Sequence, residues 1–193
     1  LAEWRAQGLS PPPCAINVSR RQLVNDALVN DVRQALAVNG LEPGMLEVEV
    51  TESLLMADTT RSLAVLEQLS AMGVRVAIDD FGTGLSSLGR LRQLPVDKLK
   101  IDRSFVQALG APAPHEHQPA AIVRAIVQLG KAVGLDIAGE GIETPTHAGL
   151  LQGLGCDLGQ GYHFSEALPA NRFVEWFNAR AKAGARTPEA SLP

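Results

Sequence analysis

Seven polar residues stand at or beside the ends of short apolar runs, and their types suit metal or phosphate chemistry: Asn17, Glu49, Asp79, Asp80, Lys100, Glu140 and Gln160. The runs are AINVS (15–19), EVEVTES (47–53), VRVAIDDFGTG (74–84), DKLKID (97–102), LDIAGEGIE (135–143) and CDLGQGY (156–162). Helix-like segments separate them. A parallel β/α barrel puts its chemistry at the C-terminal ends of its strands. On that plan the seven residues converge on one rim. Carboxylates, an amide oxygen and a lysine are the parts of a two-divalent-metal phosphodiester site.

Strand parity sorts these residues further. In LEVEVTES, Glu47, Glu49 and Thr51 share one face and Val48 and Val50 the other. An inward carboxylate needs a partner, and a cation is one; a solvent-facing edge strand is the other reading of this segment. Glu52 has the opposite parity from Glu49, which suits anchoring a neighbouring loop. Asp79 and Asp80 are adjacent, so they share a site only if the strand ends there and the backbone turns, which Gly82 and Gly84 permit. Two touching carboxylates repel unless cations lie between them. Asn17 offers a neutral oxygen to a hard cation. An ammonium at Lys100 would neutralise phosphate charge or orient a water. Lys98 shares its parity; a bulge or an early end of the strand would resolve that. Glu140 and Glu143 lie in GEGIE, and Gln160 lies between two glycines, where backbone approaches a ligand closely.

The elements that must position these groups alternate strand and helix, the pattern of an α/β fold with a mainly parallel sheet. Apolar spacing predicts helices over 20–40, 59–73, 86–94, 120–134, 143–155 and 171–184, with Asp58 or Thr59 capping the second and Thr144 the fifth. The stretch 111–120 reads as a flexible insertion, and residues 182–193 as a disordered tail after one domain over 1–181. The opening LAEWRAQGL reads as the last turns of a helix stopped by Gly8, in a chain that is the C-terminal portion of something longer.

Composition narrows the partners. The chain has 193 residues and a net charge of −4, with no basic stripe for duplex nucleic acid. No apolar run reaches the roughly 20 residues that span a membrane. Cys14 and Cys156 read as buried free thiols in a reducing compartment, and no Cys/His spacing suits zinc. The histidines form no Ser/His/Asp order.

NVSRRQL, EVTES, DDFGTGLSSL, KIDRSF, GEGIET and QGYHFSEALP, in that order, closely resemble the motifs of the EAL-domain family of bacterial cyclic-di-GMP phosphodiesterases. The resemblance implies a modified TIM (β/α)8 barrel, here incomplete and lacking its first two strands. It implies hydrolysis of cyclic di-GMP to linear pGpG with Mg²⁺ or Mn²⁺, by in-line attack of a metal-activated hydroxide. By motif, Asn17, Glu49 and Asp79 match ligands of one metal, and Asp79, Asp80 and Glu140 ligands of the other, with Asp102 contributing through water. Lys100 matches the lysine on the attacking water. Gln160 matches a glutamine that helps hold that water or the second site. Glu52 matches the residue that fixes the DFGTGLSS loop. The family also leads one to expect a cytoplasmic location, upstream sensor or diguanylate cyclase-like domains, and a homodimer through the region near 81–94.

Two departures stand against these matches. The family's Glu-Ala-Leu motif, whose glutamate is a metal ligand, and the arginine that follows it are not in this sequence. Gly139 also replaces the usual alanine before Glu140. The expectation is therefore a phosphodiesterase in the parent protein, with weak or no activity in these 193 residues alone. The alternative is an inactive module that binds cyclic di-GMP or a protein partner.

Overall fold

The computed structural model of the protein describes residues 1–25, 27–57, 60–84, 91–110, 118–182 and 190–191. The chain forms two compact units, Leu1–Leu99 and Lys100–Pro193. All six expected strands are present.

In the first unit, β1 (Cys14–Asn17), β2 (Leu46–Thr51) and β3 (Arg75–Phe81) lie side by side and parallel. Asn17 stands beside Glu49, Glu47 beside Arg75, and Thr51 beside Asp79. Register partners in a sheet point to the same face, and that face alternates along each strand. One face of β2 and β3 therefore carries Val48, Val50, Val76 and Ile78, each at most 1% exposed. Helix α5 (Thr60–Ala71) packs on β3, and α3 (Ala27–Val38) packs on α5. Burying one such aliphatic side chain contributes about 1.5–3 kcal/mol. The opposite face carries Asn17, Glu47, Glu49, Thr51, Arg75, Ala77 and Asp79, so the polar residues are gathered on one side.

Three expectations for this unit are corrected. The helix expected over 20–40 is two, α2 (Arg20–Leu23) and α3. Asn25 breaks it: its side chain accepts from the Ala27 N–H at 3.0 Å and its carbonyl from the Leu28 N–H at 3.1 Å, a local alternative to continuing the helix. Cys14 is exposed, as are all four residues of β1, because only β2 pairs with this strand among the described residues. The strand expected through Glu52 ends at Thr51, and Glu52 opens α4 (Glu52–Ala57).

Lys98 also differs from expectation. It begins β4 (Lys98–Ile101), all four residues of which are buried. The strand runs on through Lys100 to Ile101. The Lys98 ammonium lies 2.9 Å from each carboxylate oxygen of Glu47, 51 residues earlier. Arg75 Nε stands 3.8 Å from the same carboxylate. Just before Lys98, Asp97 fastens the strand entry to β3: its N–H donates to the Val76 carbonyl at 2.8 Å, and its carboxylate accepts from the Val76 N–H at 2.8 Å.

The second unit repeats that clasp. Here β5 (Asp136–Gly139) and β6 (Leu158–Gly159) are parallel. Asp157 N–H donates to the Ile137 carbonyl at 2.9 Å, and its carboxylate accepts from the Ile137 N–H at 2.7 Å. Helices α6 (Arg103–Gln107), α7 (Gln118–Ala132) and α8 (Pro145–Leu154) bury Val106, Val123, Val127 and Leu151 with Ile137 and Ile142. Thr144 caps α8 as expected, accepting from the His147 N–H at 3.1 Å. Helix α7 starts at Gln118, inside the stretch read as an insertion; residues 111–117 lie outside the described residues. Helix α9 (Ala170–Lys182) follows. Within the stretch read as a tail, Ala190–Ser191 form a two-residue strand, β7, antiparallel to β6. The expected caps Asp58 and Thr59, and residues 86–90 of the expected helix over 86–94, also lie outside the described residues. No helix among the described residues is long and apolar enough to cross a membrane.

Candidate functional site

In the first unit, parity and register bring Asn17, Glu49 and Asp79 onto one face at the C-terminal ends of their strands. Asn17 is exposed, Glu49 is buried and Asp79 is half-buried. The exit of β1 is tied down where the Val18 N–H donates to the Glu49 carbonyl at 2.9 Å. Asp80 joins this group by a backbone turn. It sits at φ +54°, where non-glycine residues are uncommon and aspartate is among the better tolerated. Its N–H donates to Asp79 Oδ1 at 3.1 Å, and its carbonyl accepts from the Thr83 hydroxyl at 2.9 Å. The turn expected from the glycines thus begins on Asp80 itself and continues through Gly82 at φ +101°.

Glu52 holds the loop that follows. It is 1% exposed and accepts from the Gly82 N–H at 2.9 Å and the Gly84 N–H at 3.3 Å. A Cβ at Gly84 would stand 2.7 Å from Glu52 Oε1, so glycine there is a matter of space. The sequence reading of Glu52 as a loop anchor agrees with these contacts.

In the second unit, Lys100 and Glu140 come together as an ion pair of 2.6 Å, with side chains 5% and 16% exposed. The loop carrying Glu140 has no regular structure, so each of its backbone groups needs another partner. The Glu140 N–H donates to the Ile101 carbonyl at 3.2 Å, and the Ile142 N–H to the Gln160 carbonyl at 3.0 Å. The Gln160 N–H donates to Gly139 at 2.8 Å, and the His163 N–H to Ile142 at 2.9 Å. A Cβ at Gly161 would stand 2.2 Å from the Ile142 carbonyl oxygen, which requires glycine between Gln160 and Tyr162. Gln160 itself is exposed beside this loop.

Asp102 has a structural task that its motif did not announce. It caps α6, accepting from the Ser104 N–H at 2.8 Å and from the Ser104 hydroxyl. Two other contributors went unread. The Gln107 amide donates to Glu143 at 2.9 Å, bonding α6 to the Glu140 loop. Thr83 holds the Asp80 turn. Neither has a local sequence signal beyond its polar type.

The sequence profile of the EAL domain family matches residues 1–167. The chain belongs to the EAL domain family. Among curated relatives, the EAL domain is 46% identical over 171 residues to the bifunctional diguanylate cyclase/cyclic di-GMP phosphodiesterase MucR of Pseudomonas aeruginosa, covering 89% of this chain and 24% of that protein. The chain thus spans about a quarter of that relative's length. The solved MucR phosphodiesterase in complex with c-di-GMP superposes with a TM-score of 0.83 at 45% identity, over 89% of this chain and 68% of that one. The EAL domain of Mycobacterium smegmatis DcpA superposes with a TM-score of 0.83 at 38% identity, over 100% and 80%. A manganese and c-di-GMP complex of Klebsiella pneumoniae BlrP1 gives 0.75 at 31%, over 86% and 41%. The expected fold class holds: this is the TIM-barrel-like EAL fold, with six of its parallel-type strands in this chain.

Proposed function

We propose that the protein carrying this EAL domain hydrolyses cyclic di-GMP to linear pGpG with Mg²⁺ or Mn²⁺. The observation that carries the reading is the Lys100–Glu140 ion pair, set at a strand end beside the Gln160 loop, in a chain of this family. The donors Asn17, Glu49, Asp79, Asp80 and Glu140 are all oxygen donors, the set that suits hard divalent cations. Asn17, Glu49 and Asp79 are assigned to one metal. Asp79, Asp80 and Glu140 are assigned to the other, with Asp102 contributing through water in addition to capping α6. Bound metals would lower the pKa of water and offset charge on the scissile phosphate.

The chain's own residues supply the rest. Lys100 is nearly buried, and its ammonium is held by Glu140, which fixes it to donate to a water or a phosphate oxygen. Gln160 presents an amide beside the same loop and orients that water. Glu52 holds the Gly82–Gly84 backbone, and with it the turn that aims Asp80. Water adds to phosphorus, the P–O3′ bond breaks, and the 3′ oxygen leaves with a proton. One ring opening per water gives pGpG.

Cyclic di-GMP is the partner so assigned. Upstream signalling domains and a homodimer through the region near 81–94, of which 85–90 lies outside the described residues, complete the proposal for the whole protein. A bacterial cytoplasmic location belongs to it as well. The test is Mn²⁺-dependent turnover with Glu49→Ala as the variant. Loss of turnover is expected, and unchanged turnover would remove Glu49 from the site. Binding of cyclic di-GMP with no turnover in the unmodified protein would instead support a binding module.

A further inference from the structure

Arg103 follows Asp102 at the C-terminal end of β4, three residues after Lys100. Its surroundings constrain its base. The Asp102 cap makes Arg103 the first residue of α6. Gly141 lies directly against it: a Cβ there would stand 2.6 Å from Arg103 Cβ and 3.3 Å from its Cα. Gly141 also sits at φ +66°, which favours glycine. Gln107, one turn along α6, bonds Glu143 of the same loop at 2.9 Å. The Arg103 stem is therefore seated on the loop that carries Glu140. Arg103 as a whole is exposed, and no hydrogen bond or ion pair to its guanidinium occurs among the described residues.

A cyclic dinucleotide carries two phosphodiesters, each with one negative charge. The hydrolysis proposed above acts on one and leaves the other to be bound. A guanidinium matches a phosphodiester's two oxygens with two parallel N–H donors. We propose that Arg103 is a substrate-binding residue of this site and contacts the phosphodiester that is not cleaved. This rests on the reading of the site as a cyclic-di-GMP phosphodiesterase.

The test compares Arg103→Ala with the unmodified protein on three ligands. For cyclic di-GMP, KM should rise about tenfold or more with kcat little changed, as expected when an ionic hydrogen-bond partner acts on binding alone. For bis(p-nitrophenyl) phosphate, which has a single phosphodiester, both constants should stay the same. For pGpG, which keeps the uncleaved phosphodiester, calorimetric affinity should fall about tenfold. The thermal midpoint should not move, since the side chain is exposed. Unchanged KM and pGpG affinity would overturn the proposal. So would an equal loss on bis(p-nitrophenyl) phosphate, which would place Arg103 at the scissile phosphate. No turnover of cyclic di-GMP by the unmodified protein would overturn the underlying reading instead, a separate outcome.

Discussion

Lys98→Met would strip Glu47 of an ammonium 2.9 Å from each of its carboxylate oxygens. Both side chains are nearly inaccessible, at 4% and 3% exposure, so water cannot replace the lost partner without opening the interior. Breaking a buried pair by removing one member costs about 3–5 kcal/mol, because the remaining charge is uncompensated. Arg75, 3.8 Å from the same carboxylate, offsets part of this and favours the lower end. With a urea slope of about 1–3 kcal/mol/M, the unfolding midpoint should fall by roughly 1–3 M. The melting temperature should drop by about 6–12 °C. Urea titration followed by far-ultraviolet circular dichroism reads this directly. The double variant Glu47→Met with Lys98→Met supplies the control. Apolar replacement of both members is often neutral or stabilising, so it should recover most of the loss. A single variant within about 0.5 kcal/mol of the unmodified protein would refute the reasoning. A double variant as unstable as the single one would assign the cost to lost packing rather than to an orphaned charge.

Glu52→Gln should reduce turnover more than stability. The amide keeps one acceptor for the Gly82 and Gly84 N–H groups but loses the charge, and a loss of about 10–100-fold is expected for a residue that orients a metal site; turnover equal to the unmodified protein would show that the loop is held without it. The two thiols should differ in reactivity. Burial, reinforced by Asp157 and only partly relieved by Lys131, pushes the Cys156 thiol up to about 12, so its thiolate fraction at pH 8 is about one in ten thousand. Cys14 is exposed, and an Ellman titration of the folded protein should therefore count one thiol, rising to two in denaturant; two fast thiols in the folded state would contradict this.

The parts of the fold legible in the sequence are those set by local pattern. Apolar runs located six strands and put Asn17, Glu49 and Asp79 at or near strand ends; that the three share a face also depends on the register of β1, β2 and β3. Thr144 before Pro145 signalled a helix start because the cap is a contact between residues three apart. What escaped was non-local or conformational. Lys98 looked anomalous because its partner Glu47 lies 51 residues away, and no spacing rule reaches that far. Cys14 sits in an apolar strand, but its exposure depends on what pairs with β1. Asp80 adopts φ +54°, a choice between two aspartates that composition cannot make. Asn25 broke a well-patterned helix through a side-chain bond to Ala27 that competes with the helix's own ladder.

The most direct measurement is Mn²⁺-dependent conversion of cyclic di-GMP by the protein that carries this chain, with the product identified by chromatography and Asp79→Ala run beside it. Linear pGpG is expected from the unmodified protein and none above background from the variant. No metal-dependent product from the unmodified protein, or undiminished product from Asp79→Ala, would contradict it.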